Sequence, residues 1–304
     1  MAKKIRAYDI LGSIALVRFP NDFKSSDKKK FASKIMEENK AVKTVLEKKG
    51  KIKGRLRKQE MKYVSGEKTK EVLYRENGCE FRFNIDTTYF SPRLSNERKE
   101  VALMIKRDEN VLVMFGGVAP FGIVIAKNSK CKKVVSVELN REAAKYAKLN
   151  VERNNLKNRV EVVQGDVRKF VGKWEKMHSR VRGINDSPKT SSRRSEKENV
   201  KGKFLSSVSN ELKRNRSQDI KFDVIVMARP QLKETFLKEA FKVSKKGTRI
   251  FYYDFCSIDE VDKIVEKVKS EAKKAGKKIR ILKKKVAGEI APYKFRVRVD
   301  FQVI

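Results

Sequence analysis

Four apolar runs in the middle of the chain each end on residues suited to holding a ligand. VLVMFGGVAPF (111–121) stops at Gly116 and Gly117, and KVVSVELN (133–140) stops at Glu138. VEVVQGDVR (160–168) stops at Asp166, and FDVIVMARP (222–230) stops at Ala228, Arg229 and Pro230. Paired glycines let a backbone approach a ligand closely ahead of a helix N-terminus. A carboxylate placed like Glu138 can accept both hydroxyls of an adenosine ribose. Asp166 can accept from the adenine amino group while the Val167 amide meets a ring nitrogen. The segment after the fourth run is where a substrate would lie. Each feature alone has an ordinary explanation: a strand-to-helix turn, a helix N-terminal acid, a turn former. Their succession at consecutive strand ends is what points to an adenosine-bearing ligand. The turn lacks the G-x-G-x-x-G spacing, which argues against NAD.

Such residues need a frame that lines up strand ends. Runs at 111–115, 133–137, 160–164, 222–227 and 248–253 read as strands and alternate with helical segments near 120–129, 141–153, 231–243 and 258–275. This alternation implies a parallel sheet with helices on both faces, which binds ligands at its carboxyl edge. The runs 278–286 and 293–304 have no helix between them, so they must pair as an antiparallel hairpin. The expected fold class is therefore α/β, with the doubly wound sheet and closing hairpin of Rossmann-type methyltransferases.

A small, basic α+β unit is expected ahead of it. YDILGSIALVRFP (8–20) reads as a strand, and 28–49 as an amphipathic helix with Phe31, Ile35, Val42, Val45 and Leu46 near helical spacing. Strand-like pieces follow at 55–64, 70–76 and 79–85, separated by Gly66 and by the hairpin signal Asn77-Gly78. The two units are expected to span 1–95 and 96–304. Residues 173–219 hold 13 Lys/Arg, 6 Asp/Glu and 9 Ser with few large apolar residues, so a disordered or lightly ordered insertion is expected there.

Charge narrows the partner. Against 38 Asp+Glu stand 75 Lys+Arg, a net charge of +37. Self-repulsion on that scale points to a polyanion, with nucleic acid first, because each neutralised phosphate releases counterions. Cys79, Cys131 and Cys256 form no CxxC pair, and His178 is the single histidine, so zinc sites and Ser/His/Asp triads are excluded and no metal is expected. No apolar run reaches membrane-span length, and MAKKIRAYDI lacks the apolar core of a signal peptide, so a cytoplasmic protein with no membrane partner is expected. A monomer is expected as well.

DTTYFSPRLSNERKEVA (86–102), MFGGVAPF (114–121), VELNREAAKYAKLNVERNNL (137–156), GDVR (165–168), IFYYDF (250–255) and EIAPYKFRVRVDF (289–301) carry a resemblance across nearly the whole chain outside 173–219. The chain resembles the archaeal and eukaryotic-type tRNA (guanine-N1)-methyltransferases, which modify guanosine 37 beside the anticodon, and their wyosine-pathway relatives. The resemblance implies S-adenosyl-L-methionine as cofactor and tRNA, near its anticodon stem-loop, as partner. It implies Glu97 as general base and Arg98 as a cofactor contact. Tyr89 and Arg93 match positions that shape the cofactor or target pocket. Arg57, with Arg55 close beside it, matches an arginine that steadies guanine O6. Glu138, Leu139, Asp166 and Val167 match adenosine-binding positions. Gly116, Gly117 and Ala228 complete the cofactor set, and Arg229 and Pro230 would face the substrate. Tyr89, Phe90, Tyr252 and Tyr253 are candidates for stacking on a base, against the ordinary alternative that they are core.

Three departures stand out. Val113 replaces an acid, Ala119 replaces a glycine, and Ala228-Arg229-Pro230 replaces Asn-Leu-Pro at the reacting end. They keep two other readings open: an aminocarboxypropyl transferase of wyosine synthesis, and a non-catalytic tRNA-binding protein with a decayed site.

Overall fold

A computed structural model describes residues 8–50, 54, 59–183, 221–228 and 234–304. The N-terminal sheet has the order β1 (Tyr8–Leu11), β2 (Ile14–Val17), β3 (Thr44–Lys48), β4 (Met61–Gly66). Helix α1 (Ser25–Glu38) connects the parallel pair β2 and β3, and its Ala32 and Ile35 pack on Ala15, Val17 and Val45. The fold departs from the sequence expectation at two places. Residues 8–20 form a β1–β2 hairpin instead of one strand, because Gly12 reverses the chain at φ +57. A Cβ there would lie 2.1 Å from the Leu73 carbonyl oxygen. The helix expected over 28–49 ends at Glu38, and Val45 and Leu46 sit in β3 between β2 and β4. A strand buried on both faces shows no alternation, so periodicity alone could not separate it from a helix.

The chain continues through β5 (Glu71–Glu76), β6 (Cys79–Asn84), α2 (Ser95–Leu103), β7 (Asn110–Met114), α3 (Pro120–Asn128), β8 (Lys133–Glu138), α4 (Arg141–Arg153), β9 (Val160–Gln164) and α5 (Val167–Gly183). It closes with β10 (Phe222–Met227), α6 (Leu237–Lys242), β11 (Ser244–Cys256), α7 (Val261–Lys274), β12 (Ile279–Ala291) and β13 (Lys294–Val303). The large sheet has the order β12-β13-β11-β10-β7-β8-β9. Strands β7 to β11 run parallel, and β13 is antiparallel to both β11 and β12. Helices α2, α3 and α4 pack on one face and α5, α6 and α7 on the other. Strand order reverses on either side of β7, so a ligand crevice opens beyond the carboxyl ends of β7 and β10.

The β5–β6 hairpin turns at Asn77 and Gly78, both at positive φ, as the Asn-Gly signal implied. It docks on α4, whose side chains stand in for a neighbouring strand. The Asn150 amide oxygen accepts from the Arg82 N–H at 2.8 Å. Asn154 accepts from the Glu80 N–H at 2.9 Å and donates to the Glu80 carbonyl at 2.7 Å. Helix α5 runs on through residues 173–183, which the composition had assigned to the insertion. Trp174 holds it there, stacked on Phe222 at 5.0 Å. Residues 184–219 of that segment lie outside the described residues. So do 231–233, and the helix expected from 231 is α6, starting at Leu237. Among the described residues, no helix is long and apolar enough to cross a membrane.

Candidate active site

Beyond β7 the chain lies flat against β8. The Gly116 N–H donates to the Val137 carbonyl at 2.8 Å, and the Gly117 N–H to Glu138 Oε2 at 2.8 Å. Glu138 Oε1 accepts from the Asn140 N–H at 2.7 Å. The carboxylate is thereby locked at the end of β8, half-buried, with the glycine turn on one side and the α4 N-terminus on the other. A Cβ on Gly116 would lie 2.1 Å from Ser136 Oγ, so the turn can sit this close only without a side chain. Ser136 Oγ is buried and has no hydrogen-bond partner among the described residues. Ala119 caps α3 at φ 65, a left-handed conformation that costs a non-glycine residue roughly 1–2 kcal/mol. Val113 is fully buried within β7 and serves the core alone.

Asp166 follows β9 through Gly165, whose N–H donates to the Glu138 carbonyl at 2.8 Å. Asp166 Oδ1 accepts from the Arg168 N–H at 2.9 Å and so caps α5, while Oδ2 meets the Arg168 guanidinium at 3.1 Å. Val167 turns into the core and Leu139 is half-buried. The Arg168 guanidinium lies 5.5 Å over Phe236, whose ring meets Phe115 edge-on at 5.1 Å. These three residues share the crevice edge with Glu138 and Asp166, and sequence reasoning missed them because Phe236 reads as the start of an ordinary helix. Ala228 follows β10 directly, partly buried against the core. Arg55, Arg57, Arg229 and Pro230 lie outside the described residues.

Helix α2 carries the Glu97-Arg98 pair, and both side chains are buried, at 4% and 1% exposure. Arg98 Nη2 donates to Glu76 Oε2 at 2.5 Å and to the Ser91 carbonyl at 3.0 Å, and its guanidinium lies 5.0 Å over Phe90. It ties the YFSPRL segment to β5. None of these contacts is with the glycine turn; within the protein Arg98 braces this segment. Glu97 Oε2 accepts from Arg298 at 2.6 Å and from the Tyr253 hydroxyl at 3.1 Å, and Oε1 accepts from Lys285 at 2.5 Å. Glu100, one turn on, accepts from Arg298 at 2.7 Å and also from Lys285. Burial opposes its ionisation, but those two cations prevail and hold the Glu100 carboxyl down at about 2. Burial, with Glu97 beside it, pushes the Tyr253 phenol well up.

A cleft of about 340 Å³ lies between the N-terminal sheet and this edge, walled by Asp9, Leu16, Tyr89, Arg93, Phe255 and Arg296 among others. Arg93 donates to Asp9 at 3.1 Å, and Lys48 binds the same carboxylate. Arg296, 6% exposed, lies 5.5 Å over Phe255. The Tyr89 carbonyl would stand 3.6 Å from a Cβ on Gly117, which joins the cleft to the glycine turn. Tyr89 and Arg93 are thus brought together, whereas Glu97 is not among the walls. Phe90, stacked on Phe83 at 4.8 Å, and the buried Tyr252 and Tyr253 are core residues. The cleft's Arg296 was legible only as one charge in an alternating strand. Among the described residues, no His/Cys/Asp/Glu cluster could hold a metal ion.

An open parallel sheet with a glycine turn at its switch point, acids at the next two strand ends and a closing hairpin define a Rossmann-type nucleoside-cofactor enzyme. Family comparison narrows this. The TRM5/TYW2 methyltransferase domain matches residues 72–192, and the TYW2 N-terminal domain matches residues 1–69. The chain is 32% identical over 317 residues to the tRNA (guanine(37)-N(1))/4-demethylwyosine(37)-methyltransferase of Nanoarchaeum equitans, covering 98% of this chain and 100% of that protein. It is 30% identical to the tRNA (guanine(37)-N(1))-methyltransferase Trm5b of Pyrococcus abyssi, covering 98% and 74%. The crystal structure of that protein matches with a TM-score of 0.74 at 29% identity, over 98% of this chain and 75% of the other. The TYW2 of Pyrococcus horikoshii in complex with MeSAdo shares the fold, with a TM-score of 0.70 at 22% identity over 98% and 91%. The chain belongs to the TRM5/TYW2 methyltransferase family, and the resemblance, fold class and enzyme class expected from the sequence hold.

Proposed function

We propose that the chain transfers the methyl group of S-adenosyl-L-methionine to N1 of guanosine 37 of tRNA, acting as a cytoplasmic monomer on the anticodon stem-loop. The observation that carries this reading is Glu138, locked by the Gly117 and Asn140 amides beside a turn with no side chains. That arrangement fits an adenosine ribose, with Asp166, Leu139 and the Val167 amide toward the adenine and Ala228 at the reacting end. The cofactor supplies an electrophilic methyl group on a sulfonium. The protein must align guanine N1 with it and remove the N1 proton. The cleft beside Tyr89 and Arg93 receives the base, which has to leave its stack to reach it. We draw the division between the two units near residue 70, where the two family matches meet, ahead of the hairpin that packs on α4.

Glu97 is the proposed base, and Arg57 would oppose charge developing on O6. Lys285 and Arg298 both donate to the Glu97 carboxylate, and reaching the substrate requires α2 or Tyr253 to shift. A second reading, favoured by those same partners, is that Glu97 positions α2 and acts on the reaction only indirectly. Arg229 and Pro230 are assigned to the substrate on the resemblance alone.

Incubation of unmodified tRNA transcripts with labelled S-adenosyl-L-methionine, followed by nucleoside mass analysis, tests the reading. A single methyl on N1 of guanosine 37 is expected. An aminocarboxypropyl mass would assign the chain to wyosine synthesis. Neither product, with no cofactor binding by calorimetry, would leave a tRNA-binding protein. A tRNA carrying 4-demethylwyosine tests the second substrate in the Nanoarchaeum relative's name.

A further inference from the structure

We infer that the terminal hairpin is a second RNA-binding surface. Tyr293 at its tip stacks on an unpaired base beside the one entering the cleft, and Lys278 just before β12 with Arg280, Lys283 and Lys284 along it hold the backbone leading away. The inference rests on the RNA reading above and adds to it a surface that the cleft does not include. Tyr293 is 85% exposed and sits at φ 59 in the β12–β13 turn. A bulky residue at positive φ is a backbone outlier, and glycine or asparagine would serve the turn at less cost. Folding therefore gives no reason for an aromatic ring here. Ile290, three residues earlier, already lines the cleft, so the ring stands at its rim.

From that rim β12 runs back along the edge of the large sheet. Its start and the two residues before it, KKIRILKKK (277–285), hold six cations and no acid. Lysines on an edge strand also discourage pairing with another chain, and that is the ordinary explanation. It accounts for the charge but not for the ring at the tip. The Lys283–Glu100 and Lys284–Asp262 pairs leave the lysine side chains about half exposed, at 52% and 48%. Exposed pairs of this kind are weak, so phosphates can replace the carboxylates and release counterions as they do. A 13-residue strand at about 3.3 Å per residue spans roughly 40 Å, room for several phosphates.

Fluorescence anisotropy of labelled tRNA transcript across a salt series tests this, with S-adenosyl-L-methionine calorimetry as the control for folding. Tyr293→Ala should weaken tRNA binding about tenfold, while Tyr293→Phe, which keeps the ring, should bind as wild type. The double change Lys278→Glu/Arg280→Glu should weaken binding and lower the slope of log K against log salt by about 2. Both changes should raise KM for tRNA and spare kcat. Wild-type affinity and slope in Tyr293→Ala and in the double variant would overturn the inference. So would a dimer that these changes break, since the edge would then belong to a second copy. If the wild-type chain binds tRNA but does not methylate guanosine 37, the proposed function fails while the affinity data still judge the hairpin.

Discussion

Arg298 lies wholly inside the protein and reaches across the seam between β13 and α2 to donate to Glu97 Oε2 at 2.6 Å. The two residues are about 200 positions apart, yet they hold the helix after the YFSPRL segment against the last strand. A buried pair like this is weak evidence for stability, but removing one partner is costly. Arg298 keeps Asp300 at 2.7 Å and Glu100 when Glu97 loses its charge, so the structural loss should be partial.

We predict that Glu97→Gln lowers single-turnover methylation by about 10²-fold or more, the scale of general-base catalysis, while cofactor affinity is kept. Its stability in urea should fall by only about 1–3 kcal/mol. Arg298→Lys keeps the charge and loses the fork. If it slows the reaction as much as Glu97→Gln and leaves the pH–rate profile unchanged, Glu97 is a positioning residue.

Glu138→Ala should weaken S-adenosyl-L-methionine binding at least about tenfold by calorimetry, since a carboxylate accepting two hydroxyls is lost, and leave tRNA binding intact. Unchanged cofactor affinity would sink the assignment of this strand end to the ribose.

Gly116→Ala should destabilise the protein by about 1–3 kcal/mol, because the new Cβ would meet Ser136 Oγ at 2.1 Å. The Ser136 Cβ is 3.4 Å from the same point, an ordinary contact. Ser136→Ala should therefore be neutral or stabilising alone, and should restore much of the loss in the double variant. Additive effects in that cycle would show that the clash lies elsewhere.

Acid stability should depend on Glu100. Its carboxyl falls from an ordinary 4.5 to about 2, against burial, through Lys285 and Arg298. A lowered carboxyl stabilises the fold above its unfolded value and stops doing so as pH falls through the folded one. Glu100→Gln should thus be less stable than wild type at pH 7, with the gap closing between about pH 5 and 2. Urea titrations at both ends check it, and a gap that stays constant across that range would rule the coupling out.

The parallel strands were legible because burial on both faces writes them as unbroken Val, Ile and Leu runs, and Glu138 and Asp166 follow directly on two of them. The same property hid β3, whose TVLE run continues the apolar spacing of α1 (44–47). The β1–β2 hairpin was missed because Gly12 lies in a run that otherwise alternates. Asp166 and Glu138 could be placed from local sequence alone. The partners of Arg98 and Glu97 could not, because Glu76, Lys285 and Arg298 reach them only through the tertiary fold. Trp174 anchors the continuation of α5, but average composition over 173–219 outweighed it.

Strand β13 follows β12 in the chain but is inserted inside it, between β12 and β11. While the chain is being synthesised, β11 keeps an open edge until residues 294–303 have left the ribosome. An unpaired edge is a template for association with other chains, so the interval before β13 arrives is the hazardous one. The hairpin must form and then dock as a unit, bringing Arg298 to a helix made some two hundred residues earlier. A nascent chain stopped short of that strand would hold the glycine turn and both strand-end acids yet lack the brace beneath Glu97. The support of Glu97 is thus completed only after every other described element has been made.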